Sequence, residues 1–280
     1  MLKQRIITGT LLALGAIALI VGAPGPVLVG ALALATLIAC WEWTDLSGFQ
    51  SGLLRIAYCV LSAVLMALLL YGVGQWGVYP QSRLSQFVLG VAALWWLLAL
   101  VCVVTFPASS GRWGAVVTRA IIGWLVLMPA WFAFVYLRAQ MNGEWLILFL
   151  LALVAAADIG AFFSGTRFGR RKLAPAVSPG KSWEGFCGGL ASSVILAVIV
   201  WYWAHQQLSP ESSLGTWLAI AVATVLASIL GDLTESMVKR YRGVKDSGSL
   251  LPGHGGVMDR LDSISAAAPI FALGLLLASV

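Results

Sequence analysis

Charge is scarce in this chain. Only 10% of its 280 residues are Asp, Glu, Lys or Arg, where a soluble globular protein carries roughly 25%. Hydrophobic residues make up 60% and mean hydropathy is +0.94. That balance excludes a soluble enzyme, and no nucleic-acid partner is expected. The four cysteines, Cys40, Cys59, Cys102 and Cys187, form no CxxC pair, lie in or beside apolar runs and have no histidine at ligand spacing. They read as small apolar filler, with neither a zinc site nor a disulfide. No internal repeat relates the two halves, and no pair of spans is broken by Gly or Pro at corresponding positions. Both absences weigh against the inverted-repeat transporter designs.

Long apolar blocks are abundant. Nine of them, about 5–22, 27–44, 53–71, 86–105, 120–137, 145–163, 186–204, 214–231 and 263–280, are long enough to cross roughly 30 Å of hydrocarbon as helices. The expected fold is all-α: a polytopic membrane bundle of about nine transmembrane helices, with 1–280 as one domain. The first block follows Lys3 and Arg5 but lacks a small-x-small cleavage site, so it is expected to remain as an anchor. With the N-terminus cytoplasmic, 15 of the 17 basic residues fall on the cytoplasmic side, leaving only Arg83 and Arg138 outside. The positive-inside rule therefore supports both span number and direction. Of the acids, only Glu144 and Glu211 fall outside, and this gathering of both signs on one face suggests chemistry there.

Ten charged residues crowd into 232–262, and charge beside a bilayer is a functional-site hypothesis by default. Beyond Leu230 the helical pattern can continue to Arg240, placing Asp232, Glu235, Ser236, Lys239 and Arg240 on one stripe. A solvated helix end explains Glu235 and Lys239, but less well Asp232, which abuts the apolar run. Asp259 and Asp262 precede the last span. They read as an N-cap with an N3 acid, or as site residues following the Gly-rich turn of His254, Gly255 and Gly256. Asp232 and Asp259 would then converge from neighbouring helix ends, an oxygen-donor site suited to magnesium with substrate phosphates completing the shell. His254 reads as a hydrogen-bonding loop residue.

The second charged loop, RFGRRKLAPAVSPGKSWEG, contains Gly-Lys-Ser but has Pro175 where a P-loop needs its first glycine, and a membrane helix in place of a strand precedes it. Ser178, Lys181 and Ser182 instead read as an anion site on a Pro179-Gly180 turn before span 7, with Glu184 as a first-turn acid. Arg167, Arg170, Arg171 and Lys172 read largely as positive-inside flanks. Asp158 and Glu42 are acids in apolar surroundings, so each should face the bundle interior or a polar cavity. Asp158 leads into the basic loop and is the stronger site candidate; Glu42 reads as a packed structural group.

Residues 236–262 carry the pattern S-x-[apolar]-K-R-x4-K-D-x-[small]-x2-[apolar]-x2-H-G-G-[apolar]-x-D-R-[apolar]-D. It is met at Ser236, Lys239, Arg240, Lys245, Asp246, Gly248, Leu251, His254, Gly255, Gly256, Asp259, Arg260 and Asp262. A second segment, S-P-x-K-S-x-E-G, runs from Ser178 to Gly185. In both, the chain resembles the phosphatidate cytidylyltransferases, or CDP-diacylglycerol synthases. The resemblance implies transfer of CMP from CTP to phosphatidic acid, with pyrophosphate released, in a multi-pass protein of the bacterial inner membrane whose site faces the cytoplasm. It also implies a homodimer of nine-helix subunits, magnesium on Asp232 and Asp259, and a second cation in some members. Lys239, Arg240, Lys245 and Arg260 become candidate phosphate clamps, with Asp262 beside them. Lys181 and Ser182 become candidate nucleotide contacts, and Asp158, Ser178, Glu184, Ser236, Asp246, His254, Gly255 and Gly256 candidate substrate contacts. The alternatives are a transferase acting on another lipid phosphate, such as a polyprenol, and a cation transporter or channel, which predicts acids near mid-membrane.

Overall fold

A computed structural model describes residues 2–73, 83–207, 213–251, 253 and 255–278. Its long helices are α1 (Leu2–Gly22), α2 (Gly25–Ser47), α3 (Gly52–Val73), α4 (Arg83–Val104), α6 (Val116–Arg138), α7 (Gly143–Phe168), α8 (Trp183–Gln207), α9 (Leu214–Arg242) and α10 (Met258–Ala278). A single-turn helix, α5 (Ser110–Trp113), precedes α6. Eight of the long helices are long and apolar enough to cross a membrane, and α1 adds a shorter apolar stretch, Gly9–Gly22. This is a multi-pass membrane helix bundle, as the apolar blocks predict. Helices prevail because lipid offers no partner for a free backbone N–H or C=O.

The centre of the bundle is α6, with 83% of its apolar window buried, against 17% for α3. Trp131, Phe132, Leu127 and Leu137 of α6 pack with Trp43 and Leu46 of α2 and Phe271 of α10 in one core. Two helix pairs are the most intimate, α7 with α8 and α9 with α10. The first depends on small residues. A Cβ at Gly160, Gly188 or Gly189 would run into Ser192, Ser164 or the α7 backbone, the close approach that membrane helices reach through such residues.

One departure from the all-α expectation lies between α7 and α8. Residues 172–182 form a two-stranded antiparallel hairpin, β1 (Lys172–Ala174) and β2 (Ser178–Ser182), with Lys172 paired to Ser182 and Ala174 to Ser178. Its tip is anchored by Val177, 1% exposed. At the same end of the bundle α9 stops at Gly243, whose φ of +71° suits glycine. The N–H of Gly243 and of Val244 then bond back to Arg240 and Lys239 carbonyls.

Candidate active site

The α9–α10 pair begins the site. α9 runs unbroken to Arg242, so its acids and bases do share a stripe as expected. Gly231 is buried against α10, where a Cβ would overlap the carbonyl of Asp262. This contact lets the two backbones touch and brings the Asp262 carboxylate within electrostatic reach of Asp232. Asp232 accepts a hydrogen bond from Ser236 Oγ at 3.2 Å and pairs through Oδ2 with Lys181 Nζ at 2.5 Å.

One turn further, Lys239 Nζ lies between Glu235 Oε2 at 2.8 Å and Asp259 Oδ1 at 2.7 Å. The reading of Glu235 and Lys239 as a solvated helix end is corrected here. Glu235 is 1% exposed and Lys239 is buried, because α10 covers that stripe. Among the described residues Glu235 Oε1 has no hydrogen-bond donor.

The N-cap reading of Asp259 is also corrected. α10 begins at Met258, so Asp259 sits inside the first turn. Its carboxylate accepts N–H groups that precede the helix, Gly256 N at 2.8 Å and Ser247 N at 3.0 Å. Asp262 Oδ1 accepts from Ser263 N at 2.6 Å.

The hairpin supplies the opposite wall. Ser178, Lys181 and Ser182 lie on β2, not on the expected turn. Glu184, in the first turn of α8, accepts the backbone N–H groups of Arg170 at 3.0 Å and Arg171 at 3.3 Å, fastening the hairpin to the helix. Ser182 Oγ accepts Gly185 N at 3.1 Å and so caps α8. Arg240 donates to the Val177 carbonyl at 3.2 Å, tying α9 to the hairpin tip.

These elements enclose two adjoining spaces. A polar-edged cavity of 320 Å³ is lined by Asp158, Lys181, Ser182 and Gly180. An apolar groove of 780 Å³ runs between α4, the hairpin, α8 and α9, past Trp96, Leu100, Trp183 and Leu226. Leu173, Phe186 and Ile229 line both.

Asp158, Lys181, Ser182, Asp232 and Asp262, which come from four parts of the chain, are thus gathered at one place, with Ser236, Lys239 and Asp259 adjoining. Ser178 is half-buried on β2, while Lys245, Asp246 and Arg260 are exposed. Gly255 has a φ of +77°, and a Cβ there or at Gly256 would strike Asp259 or Glu42. His254 lies outside the described residues.

The acid read from the sequence as a packed structural group also reaches this end. Glu42, 7% exposed, receives Ser247 Oγ, Val257 N and Met258 N. Its carboxylate in an apolar span was a signal, but its partners lie more than 200 positions away.

Among the described residues no three His, Cys, Asp or Glu are arranged to hold a metal ion. The donors that could hold one are carboxylate oxygens, which favour magnesium over zinc. Asp232 has room, being 27% exposed and paired on Oδ2 with a flexible ammonium. Asp259 takes four contacts from Lys239, Ser247 and Gly256, so both its oxygens are occupied. It admits a cation only by exchange with Lys239.

The family model described as "Cytidylyltransferase family" matches residues 3–278. The chain belongs to the cytidylyltransferase family. A phosphatidate cytidylyltransferase of Pseudomonas aeruginosa is 46% identical over 275 residues, covering 97% of this chain and 96% of that protein. That of Haemophilus influenzae is 39% identical over 283 residues, covering 97% of each. A shorter match, to the Mycobacterium bovis phosphatidate cytidylyltransferase, is 42% identical over 137 residues, 48% of this chain and 43% of that protein. As a cytidylyltransferase, this protein is a nucleotidyl-transferring enzyme, and the charged residues of its two long loops meet at one end of a membrane bundle.

Proposed function

We propose that this cytidylyltransferase transfers CMP from CTP to phosphatidate, releasing pyrophosphate and forming CDP-diacylglycerol, with residues 1–280 acting as one catalytic unit. The observation that carries the reading is the shared wall of the two spaces. A cavity edged by Lys181, Ser182 and Asp158 opens beside an apolar groove of 780 Å³. Such a junction suits an acceptor whose phosphate needs cations and whose tails need hydrocarbon.

In the reaction a phosphate oxygen of the lipid attacks the α-phosphorus of CTP. The new O–P bond forms as the bond to the β-phosphate bridging oxygen breaks, and pyrophosphate leaves with that electron pair. The lipid phosphate is ionised at neutral pH, so no strong general base is needed. What the chain must supply is positioning and relief of repulsion between two polyanions. Lys181 can exchange its partner, Asp232, for a phosphate oxygen, and Arg240 and Arg260 stand at the same end of the bundle. Lys239 is engaged by Glu235 and Asp259, so its work is to hold those acids.

A magnesium ion fits this donor set. It would be held by Asp232, with Asp259 as second acid if Lys239 gave up that contact, and the chemistry it would supply is relief of negative charge on the triphosphate. The gathering of Asp232, Asp259 and Asp262 at one end of the bundle supports a cation there. The resemblance also implies a homodimer and, in some members, a second cation. The basic residues of the charged loops support a site facing the cytoplasm of a bacterial inner membrane.

The test is an acceptor assay. Membranes containing the protein are given CTP, magnesium and one lipid phosphate at a time. CDP-diacylglycerol should form with phosphatidate and not with a polyprenyl phosphate; the reverse preference would reassign the acceptor.

A further inference from the structure

We propose that Glu42 is a positioning residue for the reaction, holding Asp259 and the start of α10 in register from the distant helix α2. Its three donors lie between 205 and 216 residues away in sequence. Ser247 Oγ donates at 3.0 Å, Val257 N at 2.9 Å and Met258 N at 2.8 Å.

The first N–H groups of a helix have no partner within it, and usually a neighbouring Ser, Thr or Asp supplies one. Here α10 is served by two carboxylates instead. Asp259 accepts Gly256 N, and Glu42 accepts Val257 N and Met258 N. Ser247 joins the two, its N–H on Asp259 and its hydroxyl on Glu42. A shift of the Glu42 carboxylate therefore moves the same loop that orients Asp259.

Two glycines fit this arrangement. A Cβ at Gly248 would lie 2.6 Å from Glu42 Oε1, and one at Gly256 would overlap both Glu42 and the Ser247 hydroxyl. The loop has given up side chains at the two places where Glu42 reaches it. Negative charge beside a helix N-terminus is favourable as well, so a neutral residue of equal size does not replace it.

The inference rests on the proposed reaction, and its test separates the two. Glu42→Gln keeps the volume but turns a donor toward three donors. Gly248→Ala disturbs the same contact from the loop side and leaves Glu42 intact. Each full-length variant, in detergent, is followed by hydrogen exchange and by CMP transfer to phosphatidate.

The expected result is faster exchange in the peptides containing Ser247, Val257 and Met258, with α6 unchanged. Alongside it kcat falls about 10–100-fold, the usual cost of losing a group that orients a site residue, with KM for CTP nearly unaltered. Glu42→Asp recovers part of kcat. Unchanged loop exchange would overturn the inference. So would faster exchange throughout α6, which would make Glu42 a support of the whole fold, or a loosened loop with normal kcat. If the wild-type protein makes no CDP-diacylglycerol, the proposed reaction fails, while the exchange data still decide whether Glu42 holds the loop.

Discussion

Lys181 of the hairpin and Asp232 of α9 are joined by an ion pair of 2.5 Å. Both side chains remain about one-quarter exposed, so neither is locked, and each is free to trade the other for a substrate or a cation. On the proposed reaction, a polyanionic nucleotide and a divalent cation arriving together would satisfy both residues at once. The pair thus links the two charged segments of the sequence in one site.

Removal of the two partners should have different consequences. Lys181→Ala would delete the proposed phosphate contact and leave the acid. We expect KM for CTP to rise about tenfold, the low end for a hydrogen bond to a charged group, with KM for phosphatidate nearly unchanged. Equal rises in both constants would show that Lys181 does not favour the nucleotide.

Asp232→Asn tests the cation site. Pyrophosphate release should fall by at least about 100-fold, while membrane insertion and the detergent-extracted yield stay normal. Titration with magnesium up to tens of millimolar should not restore it. Activity near wild type would remove Asp232 from the reaction.

The third prediction concerns stability. Lys239 compensates Glu235, 1% exposed, and Asp259 in the α9–α10 interface. Taking one partner from a buried pair leaves an uncompensated charge, at a cost of about 3–5 kcal/mol. Lys239→Met should therefore lower Tm in detergent substantially, and Glu235→Gln in the same protein should recover part of the loss. Unchanged Tm in the single variant would mean that water reaches these acids.

Why some of this could be read in the sequence and some could not follows from the range of the interactions. The apolar blocks and the extension of α9 to Arg242 are periodic, local features, and they predict the helices well. Charge could assign the two charged loops to one face of the bundle, whereas their meeting in one site rests on the Lys181–Asp232 and Arg240–Val177 contacts. Periodicity could not reveal that α10 buries Glu235 and Lys239, because burial depends on which helix packs alongside. Ser-Pro-Gly-Lys-Ser has the composition of a turn, and only its pairing with Lys172–Ala174 makes it a strand. Glu42 looked like packing because nothing near it in sequence names its partners.

The last prediction tests the groove. Leu226, Ala223 and Ala227 of α9 line it opposite Trp96 of α4. If it receives an acyl chain, filling it should obstruct the lipid and spare the nucleotide, because the groove lining is apolar while Lys181 and Asp158 edge the neighbouring cavity. Ala223→Trp should raise KM for a long-chain phosphatidate and leave KM for CTP unaltered. A short-chain phosphatidate should be affected much less, since loss of each buried methylene forgoes only about 0.8 kcal/mol. Equal effects on long and short chains would mean that the tails lie elsewhere and that the groove belongs to the bulk lipid. A rise confined to the long chain would place the hydrocarbon in the groove beside Ala223 and Leu226.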